Sequence, residues 1–294
     1  MEQTAQTLCL FCGTANSKES FYAPILFNGK QFVYRECCNC KLNYNYPSLT
    51  PEDYEKLYSL SYHEEYYFKE EKDFTKQTAM LQHTKDITSV VDFGCGDAKF
   101  LNNLQKKGFI CTGVEYNPEL VKKLSTAYPL ISFYTTEEFF SMNVQYDCIH
   151  LGDVLEHMVQ PADTIKELSK KIRQGGYLFV EGPIEHNPSL GFYFRKSFFS
   201  IAKKLNPTRL VDGAPYHTFL ASQKNQLNFF NLMGYSTSFM EIYETPWPFP
   251  DKLVNAKSLK LKIQFVVAKI SLVASKMFSQ FGNRFYFLGK KKDN

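Results

Sequence analysis

An α/β fold is what this sequence predicts, with an open, mostly parallel sheet and helices between its strands. Three observations carry that expectation. The stretch Val90-Val91-Asp92-Phe93-Gly94-Cys95-Gly96-Asp97-Ala98-Lys99-Phe100 reads as the end of a buried strand (87–93), a glycine turn and the first turn of a helix. A second apolar strand over 110–114 closes on Glu115. Beyond it, strand-like and helix-like stretches alternate to residue 181, as α/β units do.

Taken in order, the expected core runs strand 87–93, helix 97–107, strand 110–115, helix 118–127, strands 131–134 and 146–151, helix 161–173 and strand 176–181. Asp97 can cap the first of these helices, Pro118 stands in the first turn of the second, and Gly108 follows the end of the first. The apolar run Tyr177 to Val180 suits a parallel strand buried on both faces. After Gly182 the regularity stops. Pro183, Pro188, Pro207 and Pro215, with the basic amphipathic segment 192–205, mark an insertion over 183–216 at the C-terminal edge of the sheet. Tyr216-His217 then leads into helix 222–233 and strand 235–243. Pro246, Pro248 and Pro250 form a rigid break around Trp247, the single tryptophan. A second insertion, 246–282, includes Lys252 to Phe281, which reads as one long amphipathic helix. Arg284 to Lys290 is the last strand.

Two Cys-x-x-Cys pairs open the chain, Cys9/Cys12 and Cys37/Cys40, separated by 24 residues. Each pair presents two thiolates from one tight turn, and four thiolates close a tetrahedron around zinc. The expected domain division is therefore a small zinc ribbon (1–48), a helical linker or lid (49–85) and a large domain (86–294). Within the ribbon, Phe21-Tyr22, Ile25-Leu26 and Gln31 to Arg35 read as strands, with Asn28-Gly29 as a hairpin turn. Cys38 is spare. In the linker, Pro51 begins a helix behind Thr50, and Phe74 to His83 form another. Tyr58, Tyr62, His63, Tyr66, Tyr67 and Phe68 make an aromatic patch that can cover a ligand or pack between domains.

The glycine turn aims backbone amides past the strand end, where a ligand sits in such sheets. Glu115 is placed to accept hydrogen bonds from both ribose hydroxyls of an adenosine. The third glycine of a dinucleotide fingerprint is replaced by Ala98, which argues against a nicotinamide dehydrogenase.

Asp92-Phe-Gly-Cys-Gly-Asp, then Gly113-Val-Glu-Tyr-Asn-Pro, then Tyr146-Asp-Cys-Ile-His-Leu-Gly-Asp-Val-Leu-Glu-His157 and Gly175-Gly-Tyr-Leu-Phe-Val-Glu-Gly182 together resemble the class I S-adenosylmethionine (SAM) methyltransferases. The resemblance covers about residues 86–182. It implies a Rossmann-like sheet with an antiparallel last strand beside strand 235–243. It also implies a SAM site built from Asp92, Gly94, Cys95, Gly96, Glu115, Tyr116 (over the adenine face), Thr136 and Glu137 (at the adenine edge) and Asp153. With the cysteine pairs, the layout resembles the zinc-containing sugar methyltransferases. In those, a His at the position of His157 and a Glu-His pair at Tyr216-His217 serve the active site. This chain departs at Tyr216, and the C-terminal domain of the C-methyltransferases has no counterpart here. Both differences favour O-methylation of a sugar, nucleotide-sugar or glycan hydroxyl over C-methylation.

SAM carries its own activation, so the protein must position an acceptor and remove its proton. Asp153, His157, Glu185, His186, Tyr216 and His217 lie past strand ends and are the candidates. The catalytic set drawn from them is His157 and His217, converging on one hydroxyl, with Tyr216 to hold its orientation.

The formal charge is only +4, yet residues 186–211 and 252–294 are strongly basic while the rest of the chain is net acidic. An anionic partner near those segments is expected: a nucleotide-sugar, a phosphate-bearing lipid or a membrane surface contacted through 192–205 and 252–281. A lipid-linked or isoprenoid acceptor is thus an alternative to a sugar, and a non-catalytic binding protein a third. The ribbon is not notably basic, so no nucleic acid is expected. Met1 to Thr7 is polar and no apolar run reaches about 18 residues, so neither signal peptide nor membrane span is expected. Eight cysteines without a secretory signal point to a reducing, cytoplasmic setting.

Overall fold

The computed structural model describes residues 8–57, 73–207, 209–246, 250, 252–278 and 280–293. The first strands are β1 (Ser17–Glu19), β2 (Ile25–Phe27), β3 (Lys30–Cys37) and β4 (Asn43–Tyr46). Helices α1 (Pro51–Leu57) and α2 (Thr75–His83) follow. The aromatic patch between them lies outside the described residues, as does Trp247. The alternating region is β5 (Ser89–Phe93), α3 (Lys99–Gln105), β6 (Ile110–Glu115), α4 (Pro118–Ala127), β7 (Ser132–Thr135), α5 (Thr136–Ser141), β8 (Tyr146–Gly152), a 3-10 turn (Leu155–His157), α6 (Pro161–Lys171) and β9 (Ile172–Pro183). Then come α7 (Leu190–Leu205), β10 (Val211–Asp212), β11 (Phe219–Leu220), α8 (Gln223–Leu232), β12 (Tyr235–Tyr243), a 3-10 turn (Leu253–Asn255), α9 (Leu259–Met277) and β13 (Arg284–Lys291).

Two compact units share these elements. One comprises residues 1–50, 182–229 and 240–286; the other comprises 51–181, 230–239 and 287–294. The unit boundary passes through β9, β12 and β13.

The second unit is organised by a seven-stranded sheet in the order β12-β13-β9-β8-β5-β6-β7. Strands β7, β6, β5, β8 and β9 are all parallel, with Asp92 opposite both Gly113 and His150. β13 lies between β9 and β12. Paired hydrogen bonds (Lys292 to Gly234 and Asn283 to Tyr243) show that it runs antiparallel to β12. This is the Rossmann-like methyltransferase topology. Val90, Val91, Cys148, Ile149, Leu178, Phe179 and Val180 are fully buried along its central strands, which is why those runs lack polar alternation.

In the first unit, β10, β2, β3, β4 and β11 form a small sheet, with β1 paired to β3. Asn28 and Gly29 both take positive φ (51° and 70°), the requirement of the tight hairpin between β2 and β3. Beneath this sheet, Phe11 stacks on Phe229 at 4.1 Å and meets Phe219 edge-on at 4.8 Å.

Three local expectations are corrected. The first ribbon strand is Ser17–Glu19, not Phe21-Tyr22, because those rings turn aside to pack on each other and on His186. The helix after the glycine turn starts at Lys99 rather than Asp97. Ala98 takes a left-handed φ of 56°, and Asp97 accepts the Lys99 amide from two residues earlier. The segment from Lys252 to Phe281 is not one helix. A 3-10 turn ends at Asn255, and α9 restarts where the Ser258 hydroxyl caps the Leu261 amide.

Candidate active site

The parallel strands of the second unit deliver the expected cofactor residues to one edge. β5 ends in the turn Gly94-Cys95-Gly96, with φ of 81° at Gly94 and 53° at Gly96. Gly94 is also sterically required, since a Cβ there would lie 2.6 Å from Val154. The next strand end carries Glu115, which is buried. Its Oε2 accepts the Gly96 amide at 3.1 Å and its Oε1 the Tyr116 amide at 2.8 Å. The Tyr116 ring is exposed beside it and meets Tyr54 of α1 edge-on at 5.9 Å. A carboxylate for vicinal hydroxyls and an aromatic face for a base fit an adenosine.

At the end of β7, Thr136 and Glu137 open α5, held by a reciprocal capping box between Thr135 and Glu138. Asp153 follows β8 with a φ of 56°, a conformation Asp tolerates better than most residues, and its amide donates to the Glu181 carbonyl at 3.0 Å. The Cys95 thiol is buried and its pKa pushed well above the ordinary value, first by burial and then by Asp92 and Glu115. Its sulfur lies under Gly113, whose added Cβ would sit 3.0 Å from it.

Asp92 is engaged beneath the turn. His150 Nδ1 lies 2.7 Å from Asp92 Oδ1, and His150 Nε2 makes a 3.3 Å ion-pair contact with Glu181 Oε1. Gln77 of α2 donates to both Glu181 oxygens, at 3.2 and 3.0 Å. Burial opposes a charge on His150, but Asp92 and then Glu181 outweigh it and raise its pKa to about 9. The sequence showed Asp92 alone; the pairing needs the β5–β8 register. His157 sits on the 3-10 turn after β8, its Nε2 3.8 Å from Glu156 Oε1.

In the first unit, His217 Nδ1 is 2.7 Å from Glu185 Oε2. With Nδ1–H donating to that carboxylate, Nε2 becomes the basic nitrogen. Burial alone would raise the Glu185 pKa, yet His217 and then Arg195 bring it below the ordinary carboxylate value. The His217 carbonyl accepts from the Tyr34 hydroxyl at 2.8 Å and from Asn45 Nδ2 at 3.0 Å. β11, two residues on, pairs with β4. The small sheet therefore fixes the backbone that carries this imidazole. Tyr216 beside it is exposed. His186 lies within hydrogen-bonding distance of Asn43 and Tyr22, and burial lowers its pKa to about 4, so it stays neutral.

Sequence reading missed Glu185 as the partner of His217, although the Glu185-His186 pair after β9 was visible. It also missed Glu244, just past β12. Burial raises the Glu244 pKa to about 7 despite Arg195, and its Oε2 is buried with no hydrogen-bond partner among the described residues.

The four cysteines gather as the spacing requires. Cys9 and Cys40 sulfurs are 3.5 Å apart, those of Cys12 and Cys37 3.6 Å, and all four lie within 4.8 Å of one another. A tetrahedral zinc with bonds of about 2.3 Å separates its sulfurs by about 3.8 Å. The donor set fits zinc closely. A hydrogen bond from Cys40 pulls the Cys9 thiol down to about 5 while the Cys40 proton is held more tightly.

Comparison with known proteins agrees with this architecture. Residues 63–207 match the family described as "Methyltransferase domain". Over that segment, just under half of the chain, it is similar to SAM-dependent methyltransferase domains. The ubiquinone biosynthesis O-methyltransferase of Saccharophagus degradans is 30% identical over 106 residues, 34% of this chain and 44% of that protein. Its namesake in Vibrio vulnificus is 28% identical over 97 residues, 31% of this chain and 41% of that protein. The chain thus spans less than half the length of these curated relatives. Among solved structures, the Burkholderia thailandensis 1,6-didemethyltoxoflavin-N1-methyltransferase superposes with a TM-score of 0.56 at 13% identity, covering 92% of this chain and all of that one. A Haloferax volcanii methyltransferase complex with the activator Trm112 gives 0.52 at 13% identity, covering 75% of this chain and 90% of the matched chain. At these identities the likeness is one of fold.

Proposed function

We propose that this chain methylates a hydroxyl oxygen of a small-molecule acceptor of the sugar, nucleotide-sugar or glycan class, with SAM as donor. The observation that carries the donor assignment is the buried Glu115 carboxylate bridging the amides of Gly96 and Tyr116 at the strand edge. Bound there, SAM supplies an electrophilic methyl on its sulfonium. Glu115 orients the ribose and Tyr116 covers the adenine. The glycine turn, Asp153, Thr136 and Glu137 complete the contact set. His217, aimed by Glu185, takes the acceptor proton at Nε2. His157 is the second candidate for that role, and Tyr216 an orienting group. The sugar class rests on the cysteine-ribbon resemblance; zinc on the four cysteines holds the ribbon and takes no part in the chemistry.

A second reading is an isoprenoid or lipid-borne hydroxyl. It is favoured by the exposed apolar residues of α7 and α9 and by the ubiquinone named for the curated relatives.

Methyl-labelled SAM presented with nucleotide-sugars in one arm and isoprenoid phenols in vesicles in another decides between them. Label in a sugar O-methyl group supports the first reading, and label confined to the lipid fraction supports the second. Label on carbon or nitrogen overturns O-methylation. His217→Ala should lower turnover by about 10²- to 10⁴-fold while leaving SAM affinity near normal.

A further inference from the structure

α9 carries an apolar stripe that no described residue of its own unit covers. Leu259, Ile263, Val266, Ile270, Val273 and Met277 are each between 48% and 76% exposed. At 3.6 residues per turn they fall within an arc of about 80° and run for about 27 Å. The helix packs on α7, and its buried residues, Ala268 and Ser271, lie on the opposite face. Lys262, Lys269 and Lys276 recur along one flank of the stripe, and Lys260 stands on the other. α7 repeats the pattern: Leu190, Phe194, Phe198, Ile201 and Leu205 are exposed at helical spacing, with Lys204 beside them. No acidic residue occurs between 186 and 211 or between 252 and 292.

We propose that the α7–α9 face seats on a bilayer containing anionic phospholipid, with the α9 stripe in the acyl boundary and the flanking lysines among the headgroups. The chemistry separates this partner from the alternatives. The spacing of the α9 stripe would also suit a helix-pairing seam. A second copy of α9, however, would bring lysine flanks against lysine flanks with no acid to pair them. Nucleic acid would be met by aromatic platforms; the α9 stripe has none, and in the α7 stripe only Phe194 and Phe198 are aromatic. An exposed aliphatic face bordered by lysines, whose stems reach from apolar surface to headgroup, is the composition of an interfacial helix. Among the described residues no helix is long and apolar enough to cross a membrane, so the contact is peripheral.

The test is sedimentation of the full chain with vesicles of phosphatidylcholine alone and of phosphatidylcholine mixed with phosphatidylglycerol. The chain should pellet with the anionic vesicles, weakly or not at all with the neutral ones, and less as salt is added. The variant Lys262→Gln/Lys269→Gln/Lys276→Gln should bind roughly a hundredfold more weakly, about fivefold per lysine, which is the ~1 kcal/mol each contributes near an anionic surface. Ile263→Ser/Ile270→Ser should lose binding while SAM affinity and circular dichroism stay unchanged, since both side chains are exposed. A chain that stays in the supernatant of anionic vesicles overturns the proposal. So does a lysine variant that binds as well as the parent, or a dimer that Ile263→Ser/Ile270→Ser dissociates.

Discussion

His150 offers the sharpest test, because burial and two flanking carboxylates pull its charge in opposite directions. It is buried between Asp92 and Glu181, 2.7 and 3.3 Å away, and its pKa rises from 6.5 to about 9. The folded protein thus holds this proton more tightly than the unfolded chain. The resulting stability is complete below pH about 6.5 and is lost as the pH rises through about 9. A rise of that size corresponds to about 3 kcal/mol at 1.36 kcal/mol per pKa unit. His150→Gln removes the cation and leaves two buried carboxylates facing each other, which should cost about 3 to 5 kcal/mol at neutral pH. The assay is urea unfolding of both proteins over that pH range, with hydrogen exchange of β5 and β8 amides to assign the transition to the second unit. The wild type should converge on the variant as the pH approaches 9. Parallel pH profiles would refute the imidazolium assignment, because groups common to both proteins cancel in the difference.

Further tests address the donor site, the metal and the base. Glu115→Ala should weaken SAM binding at least tenfold, about 1.4 kcal/mol, in a calorimetric titration; unchanged affinity removes Glu115 from the site. Elemental analysis should find one zinc per chain, lost in Cys37→Ser and kept in Cys38→Ser, and the opposite pattern would misplace the second knuckle. Tyr34→Phe deletes the hydrogen bond to the His217 carbonyl and should cost about 1 kcal/mol of stability. It should also lower turnover with zinc retained; full turnover would mean that this bond does not position the imidazole.

The sequence by itself determined the order of the sheet's elements, the glycine turn, the acid at the second strand end and the four-cysteine spacing. These are local signals: apolar runs, residues that permit positive φ, and side chains separated by one tight turn. Boundaries shifted wherever packing overrode pattern, as at Ala98, at Phe21-Tyr22 and at the break before Ser258. What tertiary structure alone decided were the pairings across distance. Asp92 and His150 are 58 residues apart and meet only through strand register. Glu185 and His217 are 32 apart, and the ribbon residues Tyr34 and Asn45 reach His217 from more than 170 residues away. A charge is stabilised or neutralised by whatever lies within a few ångströms, and that neighbourhood is set by the fold. Tertiary packing likewise decided which face of α9 is covered, by setting Ala268 and Ser271 inward and leaving six aliphatic side chains in solvent.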